Sequence, residues 1–161
     1  MPRQDLETIS EEIASKDDIF PLTEQMRSLT LKNMNRFEQI SYLYLKIANK
    51  QLLSHLFSIK LDPYEITKTW FTSLLTSSIS LQHLPYFWDN VFINSMNETR
   101  TFEYLDYVIV AMFCNLAENV LNADELSARN LMLRYPENNM NLKDIIKKSF
   151  KLREKISELM H

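Results

Sequence analysis

The sequence contains no glycine in 161 residues. At an average usage of about 7%, roughly eleven would be expected in a chain of this length. Glycine serves wherever the backbone must turn with positive φ or come close to a ligand. Walker-type phosphate loops, dinucleotide fingerprints and nucleophile elbows all require it, so none of those motifs is present. Two-residue β-hairpins lose their preferred turn residue as well, which counts against an all-β fold. Helices do not need glycine along their length. They often end on a left-handed one, however, and asparagine is the next best residue there. The chain has thirteen asparagines, and Asn94, Asn97, Asn138 and Asn139 fall where helices are expected to end. The expected fold is an all-α, multi-helix bundle.

Hydrophobic residues make up 45% of the chain and charged residues 24%, the balance of a globular domain and not of a disordered one. The longest unbroken apolar run, residues 107–114, is far too short for a membrane span. The amino-terminal stretch MPRQDLETISEEIASKDD is acidic and lacks the apolar core of a secretory leader. Cys114 is the only cysteine, which leaves no disulfide framework and no thiolate metal cluster. These features lead to the expectation of a cytoplasmic protein.

Residues 1–21 read as an acidic segment and linker, and residues 22–161 as one helical domain. Over residues 22–48, Met26, Leu29, Met34, Phe37, Ile40, Leu43, Tyr44 and Ile47 recur mostly at steps of three or four, the spacing of one helix face. Asn49 suits the cap of a following helix, KQLLSHLF. Pro63 suits the first turn of the next, where its missing N–H costs nothing. In that helix Ile66, Trp70 and Leu74 form one row, with Phe71 and Leu75 beside it. A further helix carries Leu84, Trp88, Val91 and Phe92, and Pro85 requires it to start between residues 80 and 85. Residues 101–120 give the strongest helical pattern, through Leu105, Ile109, Met112, Leu116 and Val120. Asn122 is expected to cap the helix after it, Pro136 to end that helix, and Asn141 to cap the last one, LKDIIKKSFKLREKISEL.

The two tryptophans, Trp70 and Trp88, stand on adjacent helices. Each can bury about 150–250 Å², worth roughly 4–6 kcal/mol, so both read first as core residues. The residues around them also form a pattern. Asn49-Lys50-Gln51-Leu52-Leu53-Ser54-His55-Leu56 is followed by Trp70-Phe71-Thr72-Ser73-Leu74-Leu75, and then by Leu84 through Trp88-Asp89 to Phe92. LDYVIVAMF (105–113) and LMLRYPENNMNLKDIIKKSFKLRE (131–154) complete the series. In order and spacing this resembles the later half of the TBC domain, the Rab-GTPase-activating fold, and most closely the endosomal members of the member-five type. Thr69, where that family usually carries arginine, and Pro85, where it usually carries leucine, are departures.

The resemblance implies a role in regulating a Rab-type small GTPase in endomembrane or endosomal traffic. In that family an arginine finger in IxxDxxR and a glutamine finger in YxQ perform the chemistry, and both belong to the earlier half of the domain. None of the seven tyrosines here is followed two positions on by glutamine. The single Ile-x-x-Asp, Ile59-Lys60-Leu61-Asp62, has Glu65 in the arginine position and lies too late in the order. No residue is therefore assigned as catalytic, cofactor-binding or metal-binding, and no cofactor is implied. The chain is expected to be either part of a longer activator or a reduced protein that uses the helical half for binding. The alternative to the activator reading is a non-catalytic helical interaction or scaffold protein.

Other residues carry weaker signals. His55, His83 and His161 lack partners at metal-ligand spacing. Cys114, in the most apolar helix, is expected to be an inert buried thiol. Asp106 is expected to make a polar contact beside its helix, and Asp89 to fix a neighbouring backbone or basic group. The sequon at Asn97 lacks a secretory context. Residues 1–24 hold seven acids and two bases, a net of −5, whereas residues 141–161 hold six bases and three acids, a net of +3. Lys143, Lys147, Lys148, Lys151, Arg153 and Lys155 stand opposite Leu142, Ile145, Ile146, Leu152 and Ile156. That basic helix could meet an endomembrane surface or an acidic partner, or simply be a solvated outer face. An overall charge of −3 with no basic-aromatic stripe argues against nucleic acid.

Overall fold

A computed structural model describes residues 34–96 and 102–160. The boundary expected near residue 21 and the sequon at Asn97 lie outside the described residues. Among those described, the structure is helical throughout, with no strand. It begins with a short helix α1 (Arg36–Glu38), which runs directly into a π-helical segment (Gln39–Tyr44) and then into α2 (Leu45–Ser58). There follow α3 (Pro63–Thr72), α4 (Leu84–Asn94), α5 (Glu103–Asn115) and the short α6 (Ala117–Leu121). Helix α7 (Glu125–Leu133), a 3₁₀ turn (Glu137–Asn139) and the long α8 (Leu142–Met160) complete the chain.

Helix α5 lies at the centre. Every residue from 104 to 113 is buried, including Asp106, so this helix has no solvent face. That explains why the apolar run at 107–114 shows no clean alternation: a helix covered on all sides needs none. Helix α8 packs along it more extensively than any other pair of elements, and α2, α3, α4 and the π segment also touch it. The pattern expected over residues 101–120 covers two helices, because the chain breaks at Leu116 before α6 starts. The π segment is likewise buried at all six positions. Its wider turn shifts the register that a single three-and-four spacing through residues 22–48 would have kept.

The absent glycine leaves its mark at helix ends. Four described residues have positive φ: Lys60 at 61°, Leu74 at 49°, Leu75 at 71° and Phe102 at 56°. None is an asparagine, so the left-handed role expected for Asn94, Asn138 and Asn139 is not realised. Asn94 is the last residue of α4, and Asn138 and Asn139 lie in the 3₁₀ turn. Helix α2 ends in a Schellman motif, with the Leu61 N–H donating to the Leu56 carbonyl (2.9 Å) and the Lys60 N–H to that of Phe57 (3.1 Å). Helix α3 ends the same way, Leu75 N–H to Trp70 (2.9 Å) and Leu74 N–H to Phe71 (3.1 Å). The helix therefore stops at Thr72, and Leu74 leaves the row it was expected to share with Ile66 and Trp70.

Asparagine acts instead at helix beginnings. The side chains of Asn35, Asn49 and Asn141 accept from the N–H groups of Glu38 (2.9 Å), Leu52 (3.0 Å) and Asp144 (3.2 Å). Asn49, with φ −157° and ψ 87°, breaks α2 and restarts it, as its sequence position suggested. Asn122 is not the cap of α7. Its amide donates back to the Glu118 carbonyl in the first turn of α6, and Asp124, two residues on, accepts from Ser127 N–H at 2.8 Å. Pro63 and Pro85 occupy the first turns of α3 and α4 as expected.

A non-glycine residue held left-handed costs about 1–2 kcal/mol, and Lys60 is exposed, so its side chain has little packing to lose. Lys60→Gly should raise stability by about 1 kcal/mol, read as a higher urea midpoint with an unchanged slope, whereas Lys60→Ala should move it by no more than a few tenths. A loss of stability in the glycine variant would contradict the left-handed assignment.

Candidate functional site

The buried polar side chains are engaged in structural contacts. The Asp106 carboxylate, fully buried in the first turn of α5, takes the guanidinium of Arg36: Nε lies 2.9 and 3.2 Å from its two oxygens, and Nη2 2.8 Å from Oδ1. Arg36 also stacks over the Phe71 ring, with its central carbon 4.6 Å from the centroid. The polar contact expected of Asp106 is therefore an ion pair across the bundle, and nothing in the sequence names its partner seventy positions away. Asp62 caps α3 through the Tyr64 N–H (3.0 Å) and accepts from the Tyr42 hydroxyl at 2.7 Å. Ser41 donates to Thr67 at 2.8 Å. Ser149 gives its own hydrogen to the Ile146 carbonyl (2.6 Å), so the Tyr104 hydroxyl donates to Ser149 Oγ. The Ile-x-x-Asp fragment at 59–62 is thus a helix end and a cap. Glu65, three residues on, meets the exposed edge of Arg129 at 2.9 Å.

The tryptophans divide their roles. Trp70 is fully buried; its ring centre lies 4.8 Å from that of Phe113, and its indole N–H donates to the Met132 carbonyl at 3.1 Å, joining α3 to α7. Trp88 is only half-buried, and its N–H donates to the Leu74 carbonyl at 2.9 Å. It packs against the edge of the core and closes the glycine-free turn after α3, so of the two indoles read as core residues only Trp70 lies fully within it. The fully buried aromatic of α4 is Phe87, between Leu84 and Val91, while Phe92 is exposed. Of the residues chosen in the sequence, Leu84 and Val91 point inward as expected, and Phe87 stands between them in place of Trp88. Leu84-Phe87-Val91 fits helical spacing as well as Leu84-Trp88-Val91 does.

An open hollow of about 810 Å³ lies between α2 and α6, lined by Gln51, Ser54, His55, Ser58, Glu118, Leu121 and Asn122. The His55 Nε2 is 3.2 Å from the Ala123 carbonyl, and Ser58 donates to the His55 backbone carbonyl (2.6 Å), not to its ring. Ser58 is thus not paired with the imidazole. His83 contacts Glu137 at 2.8 Å, and with Ser80 it holds that carboxyl below its usual range. His161 lies outside the described residues, and among those described no three His, Cys, Asp or Glu side chains could hold a metal ion together. Burial pushes the Cys114 thiol up to about 11, consistent with the inert thiol expected. Asp89 is exposed on α4 and makes no hydrogen bond or ion pair among the described residues, so the fixing role expected of it is not seen.

Two surfaces remain. On α8, Ile145, Ile146, Ser149, Ile156 and Met160 face inward, while Lys143, Lys147, Lys148, Lys151 and Lys155 face solvent. Two of these lysines also reach back to the bundle, Lys148 to the Asn115 side-chain oxygen (3.4 Å) and Lys155 to the Ile47 carbonyl (3.2 Å), and Arg153 lies over the rings of Tyr104 (5.5 Å) and Phe150 (5.2 Å). On α4, the outward side chains include Tyr86, Phe92 and Ile93, followed by Met96, all apolar and exposed. No described helix is long and apolar enough to cross a membrane. No protein family, curated protein or solved structure matches the chain.

Removing one member of a buried ion pair leaves the other charge uncompensated, at about 3–5 kcal/mol. Because Arg36 keeps some exposure, Asp106→Asn should fall at the lower end, a loss of about 3 kcal/mol in urea unfolding. A change below about 0.5 kcal/mol, the scale of an ordinary surface substitution, would show that the pair does not hold α1 to α5.

Proposed function

We propose that this chain is a helical interaction domain without catalytic activity of its own, resembling the C-terminal lobe of a TBC-type regulator. In this reading it contacts a Rab-type small GTPase and lies against an anionic endomembrane surface in the cytoplasm. The motif order quoted above supports the GTPase part. Its segments fall on separate helices: the Asn49-capped part of α2, the Trp70 helix α3, the Trp88 helix α4, the central α5 and the final α8.

The observation that carries the membrane part is the state of α8. Its apolar face is occupied by α5, so the helix is not free to insert into a bilayer as a separate amphipathic helix would. What it presents is charge, a set of exposed lysines worth about 1 kcal/mol each near an anionic leaflet, within a screening distance of about 8 Å. Adsorption of this kind is reversible and sensitive to salt. A scaffold without GTPase binding is the second reading. It is favoured by the engagement of Asp62, Asp106, Ser41 and Ser149 in structural contacts.

An arginine finger contributes about 10³–10⁵ in rate, and none can be assigned here. GTP-loaded Rab proteins mixed with the chain should therefore hydrolyse at their intrinsic rate while at least one binds it in the GTP form. A hundredfold acceleration, on the order of what a working finger supplies, would contradict the non-catalytic reading, and failure of every Rab to bind would leave only the scaffold. In parallel, phosphatidylserine vesicles should sediment the native chain at low salt but not the Lys147→Glu/Lys151→Glu variant. Equal sedimentation of the two would remove α8 from the membrane role.

A further inference from the structure

The net charge of α8 is confined to its first half. Residues 141–151 hold four lysines and one aspartate, a net of +3, whereas residues 152–161 hold Arg153 and Lys155 against Glu154 and Glu158, a net of zero. Lys143, Lys147 and Lys151 recur every fourth residue and are exposed, so they form one outward row. None of the three makes a hydrogen bond or ion pair among the described residues, whereas Lys148 and Lys155 reach back to Asn115 and Ile47. Like charges at this spacing destabilise a helix, and no acidic side chain is bonded to the row to offset them. An anionic group from outside would.

The chemistry of the row selects its partner. From Lys143 to Lys151 the helix rises about 12 Å. Three ammonium groups spread along a convex helix do not converge on one phosphate as the planar fork of an arginine does. Nor does α8 offer an anchor to a protein, whose interfaces depend on a few well-packed side chains, aromatic or arginine above all. The exposed large apolar side chains lie on other elements, and the one arginine of α8 is already stacked on Tyr104 and Phe150. A leaflet of anionic lipids presents its charge over an area and meets all three lysines at once. Beyond Lys151 the sign changes. Glu154 stands about one turn further along the outward side and Glu158 one turn beyond that, and the same leaflet repels both carboxylates.

We propose that α8 meets an anionic leaflet with its first half alone, through Lys143, Lys147 and Lys151, while Glu154 and Glu158 tilt its second half away. The contact reads the density of negative charge and not the identity of a headgroup. This inference rests on the membrane reading of α8 proposed for the domain.

The test is sedimentation of the full chain, at low salt, with phosphatidylcholine vesicles carrying phosphatidylserine. A lysine near an anionic leaflet is worth about fivefold in affinity, so Lys143→Gln/Lys147→Gln/Lys151→Gln should weaken binding about a hundredfold, and Lys148→Gln/Lys155→Gln by less than about fivefold. Glu154→Gln/Glu158→Gln should strengthen it several-fold. All these positions are exposed and glutamine is a good helix former, so helicity by circular dichroism should stay native. Vesicles carrying a phosphatidylinositol bisphosphate, diluted to the same surface potential, should bind the native chain as tightly as the phosphatidylserine vesicles do. Equal losses from the two lysine sets, no gain from the glutamate variant, or a several-fold preference for the phosphoinositide at matched potential would overturn the inference and leave the membrane reading standing. No sedimentation of the native chain with either anionic vesicle would overturn both.

Discussion

The fold depends on the complete burial of α5. Ten consecutive positions, 104 to 113, are shielded from solvent, so this helix cannot tolerate a polar side chain without a partner inside the protein. Each buried Val, Ile, Met or Phe contributes about 1.5–3 kcal/mol, and the helix supplies several in succession. The polar groups it does carry are matched from distant parts of the chain. Asp106 is matched by Arg36 of α1, and Tyr104 by Ser149 of α8. Tyr107 stacks on Tyr44 of the π segment with ring centres 5.9 Å apart and planes 13° from parallel. Each of these contacts fixes an element against α5 as well as satisfying a group within it. The central helix thus determines where α1, the π segment and α8 must lie.

A second constraint acts at the turns. Without glycine, the Schellman ends of α2 and α3 place Lys60 and Leu74 in the left-handed region, and Leu75 follows Leu74 there. Such residues persist only where neighbouring contacts determine the backbone strongly. After α3 that determination is visible: the Leu74 carbonyl accepts the Trp88 indole N–H, the Leu75 side chain is buried, and the Ser78 carbonyl accepts the Tyr135 N–H at 3.0 Å. The half-buried tryptophan therefore acts through the backbone of another segment more than through its own burial. The other tryptophan, Trp70, acts through the core.

Local chemistry made part of this legible in the sequence. Pro63, Pro85, Asn49 and Asn141 each act within a few residues of themselves, and their places at helix starts could be read directly. The all-helical class followed from the missing glycine and the spacing of apolar residues. The pairing of Arg36 with Asp106 could not be read, because no periodicity links residues seventy apart. The choice of Phe87 over Trp88 for the inward face of α4 was hidden for a different reason. That helix is apolar on both sides, so adjacent registers look alike until packing selects one. Asn94 does fall at the end of α4, but neither it nor Asn138 or Asn139 is left-handed, and Lys60, Leu74, Leu75 and Phe102, which are, carry no local signal for that conformation. Of the surfaces, the lysines of α8 were visible as a charge pattern. The exposed apolar side chains of α4 were not, because in a helix apolar on several sides no periodicity tells the outer residues from the inner ones.

Native-state hydrogen exchange along α5 tests the role given to this helix most directly. If α5 is the element on which the bundle is assembled, the amides of residues 107–113 should exchange only through global unfolding. Their opening free energy and denaturant dependence should then equal those of the whole domain, while α7 and the ends of α8 open at lower cost. Exchange of those α5 amides through a smaller, denaturant-insensitive opening, with α7 or α8 better protected, would contradict the account.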